Sequence, residues 1–373
     1  MENQQIPPNP IPEIPEIPKV KPQKRNIYII SAILLVFLLA ITALTIRYLG
    51  QQRNINTPIF SSLIPDMIVP TPTPFPFQEI TIPYLRNRTY QSSLGELELV
   101  SQNTSYKSYV TSYDSDGLKI NGQLTIPEGE MPRGGWPAVV FIHGYIAPQS
   151  YQTLVNYTSY VDYIARNGFV VYKIDLRGHA DSEGDPGGGY YGSDYVTDAL
   201  NAIAALKGTN FVNPAGVGLW GHSMAGNIVL RSMAASPEIP AAVIWAGAVY
   251  SYLDWQKYGI DDNSYRPPGM SSERQRKRQE LFEKYGSPSA QSVFWKQVAA
   301  TNYLSDLKGA IQLNHAVNDP VVNIGYSRDV VELLDEAGVE YEFKEYEAGG
   351  HNLDGSTFNS AMQNTVNFFK KHL

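Results

Sequence analysis

The stretch GVGLWGHSMAG at residues 216–226 combines an apolar run with a turn of small residues. The apolar part predicts a buried strand, and the segment after the serine predicts a helix. A strand that breaks at Gly221, presents Ser223 and enters a helix lifts the serine hydroxyl off the sheet and aims the first helical amides at the same point. The stretch therefore predicts a nucleophilic serine, with a plain turn of small residues as the alternative.

Composition sets the first limits on function. The chain has 373 residues, a net charge of -7 and no cysteine. This length suits one large α/β domain with additional segments. The absence of cysteine excludes disulfides, thiolate metal ligands and a thiol nucleophile. Because the net charge is negative and no basic patch is prominent, we expect no nucleic-acid partner.

An apolar segment near the N-terminus predicts a membrane anchor. Residues 27 to 46 carry no charged side chain, and about 20 helical residues cover about 30 Å, the thickness of the hydrocarbon core of a bilayer. We expect a single transmembrane helix within residues 27–49, with a cleaved signal peptide as the alternative. The basic residues just before the span are Lys19, Lys21, Lys24 and Arg25. They outnumber those just after it, which predicts a cytoplasmic N-terminus and an extracytoplasmic C-terminal domain at the cell membrane.

Proline-rich segments flank this span. The repeat IPEIPEIP at residues 11–18 favours an extended polyproline II conformation, so residues 1–26 are expected to form a cytoplasmic tail. The stretch PTPTPFP at residues 70–76 predicts a stiff stalk over residues 50–80. The catalytic domain is then expected at residues 81–373.

Within that domain, apolar runs alternate with helical patterns. The predicted strands are 106–113, 118–126, 137–142, 169–174, 217–220, 241–246, 311–317 and 341–346. The first two flank DSDG at residues 114–117, which predicts a hairpin. Helical patterns include residues 195–206 and 326–337. Antiparallel strands that lead into β-α-β units predict a mostly parallel sheet with helices on both faces.

The interval from 250 to 308 is too long for a simple connection and predicts a helical cap insertion. Its charged stretch RQRKRQE at residues 274–280 predicts a solvated helical face. Its aromatic residues suit either an apolar or aromatic acyl group or the core of the cap itself. They are Tyr250, Tyr252, Trp255, Tyr258 and Trp295.

A serine nucleophile needs an adjacent base, which an acid orients in turn. The six histidines are His143, His179, His222, His315, His351 and His372. His315 lies within an apolar run, which indicates a core histidine, and His372 lies at a terminus that frays. His351 follows two glycines after the last predicted strand, in a loop at the same sheet edge as Ser223. It is the predicted base.

The predicted acid is Asp319, in NDPVV at residues 318–322, directly after a predicted strand and between the serine and the histidine in chain order. Asp306 and Asp335 are the alternatives. For the oxyanion hole we expect the backbone amides of Met224, at the start of the helix, and of Tyr145, after the strand at 137–142. We expect no cofactor and no metal site.

These motifs together resemble the α/β-hydrolase superfamily, in its prolyl-oligopeptidase-like (S9-type) and dienelactone-hydrolase-like branch. The stretches that carry the resemblance are FIHGY at 141–145, DLRGH at 175–179, GHSMAG at 221–226, NDPV at 318–321 and GH at 350–351. The sequence departs from the family pattern at Ala225, where a glycine is usual. It also lacks the His-Gly that often precedes the acid in such peptidases.

The resemblance implies an α/β-hydrolase fold and a serine hydrolase that cleaves an ester, amide or peptide bond through an acyl-enzyme. Ser223, Asp319 and His351 would form the catalytic triad, acting on a small-molecule or peptide substrate. Peptidase and carboxylesterase or lipase-like activities both remain open from the sequence. A catalytically silent binding module with this fold is the alternative of a different class. Oligomeric state is left open.

Overall fold

A nine-stranded sheet organises the part of the chain that this computed structural model describes, residues 74–260 and 271–373. Its strand order is β1-β2-β3-β5-β4-β6-β7-β8-β9. The strands are β1 Glu98–Gln102, β2 Tyr106–Ser115, β3 Leu118–Pro127, β4 Trp136–Ile142, β5 Val170–Ile174, β6 Val212–His222, β7 Ala241–Trp245, β8 Ala310–Ala316 and β9 Tyr341–Tyr346.

The sheet is mostly parallel, as the sequence predicts. Strands β1 to β3 are antiparallel to their neighbours, including the β3–β5 pair. Strands β4 to β9 run parallel to one another. Each predicted strand overlaps an observed one, while β1 adds an exposed edge strand that has no clear apolar pattern. The carboxyl ends of β4, β6, β8 and β9 consequently meet at one edge of the sheet.

The hairpin between β2 and β3 follows from its turn residues. Ser115 pairs with Leu118, which leaves Asp116 and Gly117 as the turn. Both turn residues have positive φ, 58° and 80°. This conformation is readily available to glycine and is tolerated by aspartate, so the DSDG stretch closes a tight hairpin.

Helices cover both faces of the sheet. They are α1 Ile82–Asn87, α2 Thr158–Arg166, α3 Asp194–Lys207, α4 Ala225–Ala235, α5 Tyr252–Tyr258, α6 Ser272–Tyr285, α7 Val293–Val298, α8 Gly325–Glu336 and α9 Ser356–His372. Short 3-10 turns lie at Gln78–Ile80, Pro148–Ser150 and Ala300–Asp306. Helices α3 and α4 share one apolar cluster, and α2 and α9 share the other.

Strand β4 shows why both faces must be covered. Val139 and Phe141 belong to one buried cluster, and Ala138, Val140 and Ile142 belong to the other. Successive side chains of a strand point to opposite faces, so an unbroken apolar run is stable only between two layers of helices.

The cap interval contains α5, α6, α7 and the 3-10 turn at Ala300–Asp306, and its residues 261–270 lie outside the described part. Tyr252 and Trp295 are buried with ring centroids 5.7 Å apart. Tyr191, from the loop before α3, stacks on Tyr252 at 4.4 Å. The aromatic residues of the cap therefore pack on one another and on the adjoining loop.

The charged face of α6 is mostly exposed, as predicted, but Arg274 has a specific role. Its guanidinium lies 2.8 Å from the Asp194 carboxylate and donates a hydrogen bond of 2.7 Å to the carbonyl of Asp185. These contacts fasten the cap helix to the loop before α3.

At the N-terminal side, residues from Pro74 onward belong to the same compact unit as the sheet. Ile80 is buried in the core, and the Tyr285 hydroxyl donates to the carbonyl of Pro76 at 2.8 Å. The predicted tail, the transmembrane anchor at 27–49 and the stalk up to residue 73 lie outside the described residues. Among the helices of residues 74–260 and 271–373, none has the length and apolar character needed to cross a bilayer.

Candidate active site

The turn at Ser223 joins β6 to α4 in a left-handed backbone conformation. Ser223 has a φ of 56°, which costs energy for any residue with a Cβ. Its amide donates to the carbonyl of Trp245 at 2.9 Å, and its carbonyl accepts from the amides of Gly226 at 2.8 Å and Ala248 at 3.0 Å. These bonds hold the strained turn and fix the serine at the carboxyl end of β6.

Small residues make this sharp turn possible. A Cβ on Gly221 would lie 2.7 Å from Val229 Cγ2 and 3.0 Å from Ala225 Cβ. A Cβ on Gly226 would lie 2.7 Å from the Cα of Gly247. Ala225 is thus accommodated where the family pattern usually has glycine, because Gly221 leaves room for its methyl group.

His351 is held by the carboxylate of Asp319. His351 Nδ1 and Asp319 Oδ2 are 2.8 Å apart. A carboxylate only accepts hydrogen bonds, so in the neutral imidazole Nδ1 carries the proton and Nε2 is left as an acceptor. This is the tautomer that a general base requires.

The Asp319 carboxylate is fully buried, and both of its oxygens have polar partners. Its Oδ1 accepts from the amides of Val321 at 2.8 Å and Val322 at 3.0 Å. His315 Nε2 lies 3.2 Å from Oδ2. Burial opposes ionisation, but the hydrogen bonds from His315 and His351 outweigh it and hold the pKa of Asp319 below its usual range.

The low pKa of Asp319 makes the stability of the fold depend on pH. The ionised carboxylate stabilises the fold above its ordinary pKa of about 3.9, and this contribution is lost as the pH falls through the lower folded-state value.

Ser223 and His351 line the same cavity, which has a volume of about 490 Å³. The cavity opens at the carboxyl ends of β4, β6 and β9. Among the described residues the Ser223 hydroxyl makes no hydrogen bond, to His351 or elsewhere.

Of the two predicted oxyanion donors, one residue lines this cavity and the other adjoins Ser223 in the chain. Tyr145 lines the cavity, in the loop that follows β4. Met224 follows Ser223 at the start of α4, where backbone amides have no intrahelical acceptor, although it is not among the lining residues. The neighbouring Gly144 amide is already occupied, since it donates to the Tyr157 hydroxyl at 3.0 Å.

The structure places the alternative acids elsewhere. Asp306 forms an ion pair of 2.7 Å with Arg86. Asp335 is exposed on α8. Neither residue lines the cavity that contains Ser223 and His351.

The other histidines support the site or lie outside it. His143 and His179 are buried, with their ring centroids 4.9 Å apart. Burial, as the larger cause, and the neighbouring His179, as the second, lower the pKa of His143 to about 3. His372 ends α9. His315 is buried, as predicted for a core histidine, but it also contacts the candidate acid, which its apolar flanks do not reveal.

Sequence reasoning missed further residues at the cavity. Tyr157 and His222 are hydrogen-bonded to each other, and Asp354 also lines the cavity. His222 adjoins Ser223 in the sequence, but on such a turn its side chain is expected to point elsewhere. Tyr157 and Asp354 carry no comparable signal, because one precedes a helix and the other lies in a polar loop.

Comparison with known proteins identifies the fold. Residues 137–260 match the family model described as serine aminopeptidase, S33. A thiohydrolase, aneE, from Aspergillus aculeatus is 30% identical over 111 residues, which are 30% of this chain and 32% of the relative. The match thus spans about a third of that relative's length.

Two solved structures superpose on this chain and share its fold. Dipeptidyl peptidase 4 from Porphyromonas gingivalis superposes with a TM-score of 0.56 at 21% identity, covering 72% of this chain and 36% of the peptidase. The acetyl xylan esterase from Paenibacillus sp. R4 superposes with a TM-score of 0.54 at 19% identity, covering 78% of this chain and 92% of the esterase. The α/β-hydrolase fold that the resemblance implies is confirmed, and the solved structures that share this fold include a peptidase and an esterase.

Replacing Asp319 by Asn tests the role of the carboxylate. We expect kcat for a p-nitrophenyl ester to fall about 10⁴-fold at neutral pH, because the amide stabilises the wrong tautomer of His351. Steady-state kinetics of the full-length protein measure this loss. The matched control is Asp335→Asn on the exposed face of α8, which should stay within about twofold of wild type. Retention of more than about a tenth of wild-type kcat by Asp319→Asn would contradict the assignment.

Proposed function

We propose that this α/β-hydrolase is a membrane-anchored serine hydrolase that cleaves an ester or amide bond through an acyl-enzyme. The observation that carries the proposal is the arrangement of three side chains. Ser223, on its left-handed turn, lines the same cavity as His351, and His351 Nδ1 is 2.8 Å from the buried Asp319 carboxylate.

Each residue has a defined role in this reaction. The Ser223 hydroxyl attacks the carbonyl carbon of the substrate, and His351 Nε2 takes its proton. The amides of Met224 and Tyr145 stabilise the oxyanion of the tetrahedral intermediate. His351 then returns the proton to the leaving group, and a water molecule activated by the same histidine releases the acyl group. Asp319 stays ionised and stabilises the imidazolium.

The charge at the cavity edge favours substrates with a free amine. Asp354 lines the same cavity as Ser223 and makes no ion pair among the described residues. Among the described residues that line this cavity there is no lysine or arginine. An ammonium group would therefore be attracted and a carboxylate repelled, so we favour aminoacyl or dipeptidyl amides over acidic esters.

Packing of the cap removes one argument for aromatic acyl groups. Tyr250, Tyr252 and Trp295 are buried in the core rather than exposed at the Ser223 cavity. A preference for aromatic acyl groups has no support from these residues. The charge of Asp354 is the better guide to substrate class.

Membrane anchoring rests on the sequence. The uncharged segment at residues 27 to 46 has the length and composition of a transmembrane helix, and the basic residues before it favour a cytoplasmic N-terminus. The catalytic domain would then lie outside the cell membrane and act on extracytoplasmic substrates.

Replacing Ser223 by Ala tests the function itself. Wild-type protein should react with a fluorophosphonate probe and hydrolyse p-nitrophenyl acetate, and Ser223→Ala should lose labelling and about 10⁶ in turnover. Labelling on gels and steady-state rates measure the two effects. A folded wild-type protein that neither labels nor hydrolyses any ester or aminoacyl amide would overturn the proposal and favour a ligand-binding module.

Replacing Asp354 by Asn tests the substrate class. We expect kcat/KM for an alanine p-nitroanilide with a free amine to fall about fivefold, the effect of an exposed charge pair worth about 1 kcal/mol. The N-acetylated form of the same anilide lacks the cation and serves as the matched control. Equal changes in kcat/KM for both anilides would show that Asp354 does not interact with the amine.

Alkaline carbonate extraction tests the anchor. Full-length protein should stay in the membrane pellet because the transmembrane helix is held by the hydrocarbon core, whereas a variant lacking residues 27–49 should be released. N-terminal sequencing of the mature protein is the control for processing. A mature N-terminus beyond residue 49 would instead identify a cleaved signal peptide.

A further inference from the structure

We propose that Tyr157 and His222 are positioning residues that couple the two loops on which hydrolysis depends. The oxyanion loop comprises residues 143–145, and the histidine loop comprises residues 349–354. A hydrogen-bond chain through Tyr157 and His222 fixes the position of one loop relative to the other. The inference rests on the proposed serine hydrolase function, which it extends beyond the triad and the oxyanion amides.

The contacts form an unbroken chain between the loops. The Gly144 amide donates to the Tyr157 hydroxyl at 3.0 Å. The Tyr157 hydroxyl lies 2.7 Å from His222 Nδ1. His222 Nε2 lies 2.9 Å from the carbonyl of His351. One end of the chain is therefore the backbone of the oxyanion loop, and the other is the backbone of the predicted base.

The direction of every proton in this chain follows from its ends. The His351 carbonyl only accepts, so His222 Nε2 carries the ring proton. Nδ1 of the neutral ring is then an acceptor and receives the Tyr157 hydroxyl proton. The oxygen of Tyr157 remains free to accept from Gly144. Each donor in the chain has one acceptor, and reversing any bond would leave two donors or two acceptors facing each other.

Burial keeps both side chains in the protonation states that the chain requires. Burial, followed by the charge of the neighbouring His351, lowers the pKa of His222 to about 3. Burial also raises the pKa of Tyr157 above its usual range. A protonated His222 would have two N–H donors and could not accept from Tyr157, so its neutral form is the one that connects the loops.

The segment at the start of α2, which carries Tyr157, is itself held in place by hydrogen bonds to other parts of the fold. Tyr157 immediately precedes α2, and the Tyr160 hydroxyl on the same helix donates to the carbonyl of Asn352 at 3.0 Å. The buried Lys173 ammonium on β5 donates to the carbonyls of Thr153 and Asn156. The segment that carries Tyr157 is thus attached to the sheet behind it and to the histidine loop in front.

This coupling matters because catalysis depends on the distance between the two loops. The oxyanion donors must reach the oxygen of the tetrahedral intermediate while His351 reaches the serine proton. Small displacements of such groups cost up to about 100-fold in rate. Loss of the chain should therefore lower kcat and leave substrate binding nearly unchanged.

A double-mutant cycle tests the coupling. In full-length protein with p-nitrophenyl acetate, we expect Tyr157→Phe and His222→Gln each to lower kcat about 10- to 100-fold, with KM within about threefold of wild type. Because both changes break the same chain, the double variant should be no slower than the slower single variant. The rate of fluorophosphonate labelling should fall in parallel.

Matched variants separate positioning from general damage. Tyr163→Phe removes a hydroxyl from the same helix whose bond to Gln363 is exposed, and it should retain wild-type kcat. His222→Asn provides a second buried variant if His222→Gln unfolds, with thermal unfolding measured for each. Wild-type kcat in Tyr157→Phe, or losses that multiply in the double variant, would overturn the coupling. If wild-type protein itself shows no hydrolysis or labelling, the proposed function fails and this inference falls with it.

Discussion

The left-handed backbone at Ser223 is the constraint on which the rest of the site depends. A positive φ at a residue with a Cβ is unfavourable, and it persists only where the surroundings hold it. Here the backbone of Trp245, Gly226 and Ala248 supplies the hydrogen bonds, and Gly221 and Gly226 supply the space. The strain is thus supported by the central strands and by α4, so the serine is presented from the middle of the sheet.

A second layer of buried polar groups supports the histidine. Burying a carboxylate such as Asp319 is costly unless its oxygens are hydrogen-bonded. The backbone amides of Val321 and Val322 and the rings of His315 and His351 meet that requirement. The same bonds that make burial tolerable also orient His351, so the stability of the buried carboxylate and the orientation of the proposed base depend on one network. The chain through Tyr157 and His222 extends that network to the other side of the cavity.

Much of this fold was predictable because its signals are local. Each apolar run between turn residues became a strand, since a buried parallel strand needs no polar face. Asp319 and His351 were identifiable because the carboxyl ends of parallel strands converge at one sheet edge, and chain order then limits the choices. The structure places those two side chains in contact and places His351 in one cavity with Ser223.

The sequence by itself determined the sheet, the strained serine turn and the strand ends from which the triad candidates extend. Only the tertiary structure decided that His315 contacts Asp319, that Tyr157 pairs with His222 across 65 positions, and that Asp354 faces the cavity. The cap aromatics fitted two roles by sequence, and packing placed Tyr250, Tyr252 and Trp295 in the core. The physical reason is the range of the interactions. Periodicity and turn chemistry act over a few residues, whereas a hydrogen bond between distant side chains exists only after the strands and helices have fixed their backbones.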